Sequence, residues 1–139
     1  MTAIAAKAAE TGAAAKRKSP VRVAVVQFNP QVGLDNLEAN ALAARQRLQQ
    51  AAREGANLIV LPELATTGYC FDSREEAFAH AEPVPEGRTV RGWIAFAREY
   101  QVYIVGCLPE VDGQQLFDTA VLVGPEGYVG KYRKTHLWN

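Results

Sequence analysis

The segment Asn57-Leu-Ile-Val-Leu-Pro-Glu-Leu-Ala-Thr-Thr-Gly-Tyr69 decides how this chain folds. Leu58 to Leu61 are four consecutive large aliphatics, the pattern of a strand buried on both faces. Pro62 closes the run, and Glu63 puts a carboxylate at the mouth of that strand. Capping a following helix or pairing with a surface arginine would explain an average glutamate. At this position lost solvation should instead raise the carboxyl pKa toward the range useful to a general base.

Upstream, Val21 to Phe28 (VRVAVVQF) is β-branched and apolar and closes at Asn29-Pro30, which predicts a first strand ended by a turn. A helix follows, capped by Asp35 with Glu38 three residues on. Leu37, Ala41, Ala44, Leu48 and Ala51 form its apolar stripe, and Gly55 ends it. Strand, helix and strand make a βαβ unit, so the two strands are expected to be parallel interior strands joined by a right-handed crossover. Functional residues in such sheets gather at the carboxyl ends of strands, where Glu63 falls.

Downstream, residues 70 to 88 are polar and read as loop with a short helix around Glu75 to His80. A second amphipathic helix is predicted over Val90 to Tyr100, with Val90, Ile94, Ala97 and Tyr100 or Gln101 on its buried face. Val102 to Leu108 is a third strand. Thr119 to Val123 and Tyr128 to Tyr132 are short strands around the turn sequence Gly124-Pro125-Glu126-Gly127, an antiparallel hairpin that makes the sheet mixed.

With 139 residues, 48% of them hydrophobic and 22% charged, the chain suits one globular domain with a real core rather than disorder or a membrane span. Fifteen basic residues balance fifteen acidic ones, so no net field draws nucleic acid or an anionic membrane, and small or weakly charged partners are favoured. Residues 1 to 20 carry Lys7, Lys16, Arg17 and Lys18 against Glu10, and their alanine-rich composition reads as a flexible leader without a secretory apolar run. Residues 21 to 139 then form the domain. Cys70 and Cys107 are far apart and lack CxxC spacing, which argues against a disulfide framework or zinc site and fits a reducing, cytoplasmic setting.

The other dense polar cluster is Gly130-Lys-Tyr-Arg-Lys-Thr-His-Leu-Trp138. Three cations in four positions fit either a solvated sheet edge that discourages aggregation or a functional cluster. One short basic run without an RNA-binding signature does not make a nucleic-acid surface, and neither GxGxxG nor GxxxxGK[ST] is present to bind a nucleotide.

LPE followed by TGY, and GKYRKTHLW after the hairpin, resemble two signatures of the carbon–nitrogen hydrolase family, the nitrilase superfamily, and the resemblance covers residues 21 to 139. It implies an α-β-β-α sandwich, of which this chain is the N-terminal part. It also implies a Glu, Lys and Cys acting on small nitriles, amides or carbamoyl compounds, with no cofactor or metal and with oligomers as the common state. By motif, Glu63 matches the general base and Lys134 the catalytic lysine. Lys131 has the opposite strand parity and is expected to be solvated. His136 is expected to orient or pack rather than act as a base, and Tyr69 either lines the pocket or is buried as a plain aromatic. The family's nucleophile and second acidic residue would lie beyond Asn139. Cys70 and Cys107 do not match the nucleophile's motif and are expected to be small buried hydrophobes, so the 139 residues alone are expected to be inactive. The alternative is a noncatalytic remnant or interaction module that keeps the half-fold as a binding surface.

Overall fold

A computed structural model describes residues 20–137. The leader up to residue 19, Trp138, Asn139 and anything expected beyond them lie outside the described residues.

Five strands form one mixed sheet in the order β1-β2-β3-β4-β5: Val23–Val25, Leu58–Val60, Tyr103–Asp112, Gln115–Gly124 and Gly127–Arg133. The first three are parallel, with Ile59 beside both Ala24 and Ile104. The last two are antiparallel, running from Cys107 opposite Ala120 to Ala120 opposite Tyr132. Among the described residues three α-helices accompany the sheet: α1 Leu37–Arg53, α2 Arg74–His80 and α3 Arg88–Tyr100.

The core fills the space between α1, α3 and one sheet face. Leu48 and Ala51 from α1, and Val90, Trp93, Phe96 and Ala97 from α3, cover Ile59, Ile104, Leu108, Val121 and Val123. Burial of each such aliphatic side chain contributes on the order of 1.5–3 kcal/mol. Gly106 lets Trp93 lie directly on the sheet, since a Cβ there would meet the Trp93 ring at 2.5 Å. The opposite face leaves Val23, Val25, Tyr103 and Tyr132 exposed.

Several sequence expectations are corrected. The first strand is three residues rather than eight, and among the described residues it is an edge strand paired only with β2, not an interior one. A 3-10 turn, Leu34–Asn36, precedes α1, and Asp35 does not cap it. Ala41 is exposed, and the neighbouring Asn40 is buried in its place. The α3 face is built on Trp93 and Phe96, with Ile94 only half-buried. β3 continues past Leu108 to Asp112 and turns at Gly113, which has φ +59°, into β4, making a second hairpin. Gly55 ends α1 with φ +84°, and α2 begins where Ser73 Oγ accepts from Glu76 N.

Candidate active site

The segment after β2 folds back tightly over the carboxyl ends of the parallel strands. Leu61 N donates to Val105 O (2.9 Å) and Ala65 N to Cys107 O (3.1 Å), fastening it to β3, and Gly68 N closes onto Leu64 O (2.9 Å). Leu64 (φ 47°), Gly68 (φ 71°) and Cys70 (φ 66°) all adopt left-handed backbone. Glycine is required at 68, where a Cβ would lie 2.8 Å from Pro30 O. Buried Asn40 holds the segment from below: its amide donates to Thr66 O (3.1 Å) and Gln31 O (2.7 Å), and its carbonyl accepts from Gln31 N (2.9 Å).

Glu63 therefore projects from a fixed loop. Lys134 reaches it from the far end of the sheet, with Nζ 2.6 Å from Glu63 Oε1, and the Tyr69 hydroxyl donates to Glu63 Oε2. Tyr69 is 48% exposed, so the plain-buried alternative fails. Together with Phe71, Phe117 and Asp118 these three residues line an open cavity of about 650 Å³. A second cavity of about 340 Å³ between α1 and α3 is lined mainly by apolar side chains, with Arg45, Glu82 and Arg88 at its rim.

Strand parity explains which lysine arrives. Lys131 and Arg133 point to one side of β5 and both bind Glu110. Lys134, one residue beyond the strand, points to the other side, its N–H donating to Asp118 O (2.9 Å). The expectation that Lys131 is solvated is corrected: it pairs with a carboxylate whose side chain is 1% exposed. Glu110 also accepts from Arg133 Nε (3.0 Å), Arg133 Nη2 (2.6 Å) and Thr119 Oγ1 (2.7 Å), and the Arg133 guanidinium lies over the Phe117 ring. This network fixes β5 against β3 and β4, and so fixes where Lys134 begins.

The expected rise in the Glu63 pKa is reversed. Its side chain is 33% exposed, and the neighbouring Asp118, with hydrogen bonds from Lys134 and Tyr69, holds the carboxyl at about 2. The raised carboxyl is Asp118, pushed up to about 6 by burial and by the neighbouring Glu63. Contact with Glu63 raises the Lys134 pKa, so it remains an ammonium, and burial followed by contact with Glu63 raises that of Tyr69.

Asp118, inside β4 between Phe117 and Thr119, is a site residue that the sequence does not mark. Cys107 is half-buried rather than an inert core residue. Its Sγ donates to Asp118 Oδ1 (2.8 Å), and burial together with that bond pushes the thiol up to about 12. Cys70 is exposed, against the expectation of burial. His136 is exposed, with Nδ1 3.0 Å from the Thr135 hydroxyl. Among the described residues no group of His, Cys, Asp or Glu is arranged to hold a metal ion, and no helix is long and apolar enough to cross a membrane.

A mixed sheet flanked by helices, with an acid–ammonium pair beyond its parallel strands, defines an α/β protein of the nitrilase-like sandwich class. The chain belongs to the carbon-nitrogen hydrolase family, which matches residues 22–139. A nitrilase of Pyrococcus abyssi is 48% identical over 118 residues, covering 85% of this chain and 44% of that protein. The omega-amidase NIT2 of Danio rerio is 33% identical over 124 residues, covering 87% of this chain and 42% of its own length. Among solved structures, an N-terminal amidase superposes with a TM-score of 0.76 at 28% identity, over 86% of this chain and 29% of that one. Saccharomyces cerevisiae Nit3, of the nitrilase superfamily, gives 0.70 at 25% identity, over 84% and 44%. The chain spans less than half the length of each of these relatives.

Proposed function

We propose that the protein hydrolyses carbon–nitrogen bonds of small nitriles, amides or carbamoyl compounds, with Glu63 as general base and Lys134 as the cation that stabilises the negative charge formed on attack. Residues 21 to 139 are the N-terminal portion of the hydrolase domain. The observation that carries this reading is the 2.6 Å contact between Lys134 Nζ and Glu63 Oε1, made across 71 residues of sequence at the wall of a cavity.

In the reaction a thiol gives its proton to the carboxylate as its sulfur bonds to the nitrile or amide carbon. The charge released onto the substrate nitrogen or oxygen lies beside the ammonium, an interaction of about 3–4 kcal/mol for one well-placed donor. From an amide or carbamoyl compound the amine then leaves with the proton and water cleaves the acyl-enzyme by the same route; from a nitrile the proton goes to the thioimidate nitrogen, one water adds before ammonia leaves, and a second water releases the acid. Tyr69 lines the pocket and fixes one oxygen of Glu63. Neither thiol of this chain is the nucleophile in this reading. Cys107 is held protonated and bonded to Asp118, and Cys70 follows a left-handed turn on the exposed rim. The names of the relatives, nitrilase and omega-amidase, support the substrate class. The two free cysteines support a cytoplasmic setting, and the exposed face bearing Val23, Val25, Tyr103 and Tyr132 supports homo-oligomers.

That same face favours a second reading, a noncatalytic half-fold that binds a partner. Ammonia release by the full-length protein from a panel of aliphatic and aromatic nitriles, amides and carbamoyl amines separates the two. Turnover lost in Glu63→Gln supports the hydrolase. No turnover across the panel, with no cysteine-bearing strand encoded past the codon for Asn139, supports the binding module.

A further inference from the structure

Three groups of the site converge on Asp118. Its Oδ1 accepts from Cys107 Sγ (2.8 Å), its Oδ2 lies 3.7 Å from Lys134 Nζ, which also binds Glu63, and its main-chain oxygen accepts from Lys134 N (2.9 Å). One ammonium thus serves two carboxyls, and its bond to Glu63 is the shorter by about 1 Å. Asp118 is also the more enclosed of the two, with a side chain 13% exposed against 33% for Glu63. Two carboxyls that share one ammonium do not ionise independently.

We propose that Asp118 is a positioning residue acting through Glu63, the two carboxyls working as one acid–base unit that stores a single transferable proton. The proposal rests on the reading of Glu63 as the base, and it repairs a weakness of that reading. A carboxyl held at about 2 is a poor acceptor for the proton of a thiol or water at neutral pH. The values of about 2 and about 6 belong to the pair, which takes up its first proton near pH 6 and its second near pH 2. Above pH 6 both carboxyls are ionised. A proton leaving the nucleophile then passes to the pair while the bonding electrons stay on sulfur or oxygen. The same proton later goes to the departing amine nitrogen, restoring the dianion. Below pH 6 the pair already holds that proton and can take another only near pH 2.

The other groups that face Asp118 keep their charge state across this range. Tyr69, on the segment after β2, and Cys107, on β3, both have raised pKa values and stay protonated, the thiol with a pKa of about 12. Lys134, after β5, stays an ammonium. Among the described residues that face Asp118, the step near pH 6 therefore belongs to the carboxyl pair.

Two measurements test this. The first needs no turnover: in ¹³C carboxyl NMR of the protein, Asp118 and Glu63 should both report a step near pH 6, and in Asp118→Asn the Glu63 signal should be flat above about pH 4. Independent single steps near the ordinary carboxyl value for both would overturn the proposal. The second is the pH profile of kcat/KM in the full-length protein. The acid limb should fall near pH 6 in wild type, move down by about one pH unit or more in Asp118→Asn with a plateau about tenfold or more lower, and stay near its wild-type place in Asp118→Glu. An Asp118→Asn rate reduced equally at every pH indicates a packing role and overturns the proposal. Full activity in Glu63→Gln instead removes the reading of the site itself. Loss of activity in Glu63→Gln, with both the carboxyl step and the limb unchanged in Asp118→Asn, removes only the role given to Asp118.

Discussion

Replacing Glu110 by glutamine should unfasten the network that places Lys134, and the cost can be worked from the site. Burial pushes the Glu110 carboxyl up, but hydrogen bonds from Arg133, Lys131 and Thr119 outweigh it and hold the group at about 2 instead of 4.5. At about 1.36 kcal/mol per pKa unit, that difference corresponds to about 3 kcal/mol of stability carried by the ionised form. The folded pKa lies below the unfolded one. The contribution is therefore complete above about pH 4.5 and is lost as the pH falls toward 2. Lys131 and Arg133 are 29% and 31% exposed, so water can reach them once the charge is gone. The expected loss in Glu110→Gln at pH 7 is accordingly about 2–3 kcal/mol, below the 3–5 kcal/mol of a fully buried orphaned charge. Urea unfolding of the wild-type and variant proteins checks this at two pH values. The difference should shrink to less than half at pH 3, where most unfolded carboxyls are already protonated and the folded Glu110 is partly so. A difference under about 0.5 kcal/mol at pH 7, or one equally large at both pH values, would refute the reasoning.

Asn40→Ala removes three hydrogen bonds from a buried site and should cost about 1–3 kcal/mol in thermal unfolding, with faster amide exchange at Thr67 and Gly68. Unchanged exchange in that loop would show that Asn40 does not hold it. Alkylation at pH 8, followed by peptide mass spectrometry, should label exposed Cys70 at least about a hundredfold faster than Cys107, whose thiol is held protonated by burial and Asp118. Comparable rates would mean that the Cys107–Asp118 contact does not persist in solution.

The sequence carries two Leu-Pro-Glu tripeptides, and their different fates mark what could be read from it. Glu63 was legible because a proline breaks an aliphatic strand just before it, leaving a carboxylate where the chain turns over the sheet. Glu110 sits in the same tripeptide, yet its strand runs on through Pro109, opposite Asp118 in the hairpin, so its side chain is carried onto the helix-covered face. That outcome depends on β3 being ten residues long, which the apolar run ending at Leu108 did not reveal. That Lys134 and Lys131 leave β5 on opposite sides was legible from parity. Asp118 was not, because its meaning arises only from the register that sets Asp118 on β4 beside the end of β5 and across from the Glu63 loop. The Glu63 pKa was misread for the same reason, since desolvation could be inferred from position but Lys134 and Asp118, which act against it, come from elsewhere in the chain. Asn40 and Trp93 show the limit of periodicity: Ala44, Leu48 and Ala51 of α1's expected stripe are buried, but it did not point to the polar clamp beside exposed Ala41 or to the aromatic against Gly106.

The two lysines give the most direct test of the account, since they stand three residues apart and are assigned opposite work. Single-turnover rates of C–N bond cleavage, measured with urea stability on Lys134→Ala and Lys131→Ala of the full-length protein, separate chemistry from scaffolding. Lys134→Ala should slow cleavage by about a hundredfold or more under conditions where the protein stays folded, losing only the stability of its bond to Glu63. Lys131→Ala should cleave within a few-fold of wild type while losing stability. A Lys134→Ala variant that keeps full cleavage, or a Lys131→Ala variant that loses it with its stability intact, would contradict the placement of the catalytic cation at Lys134.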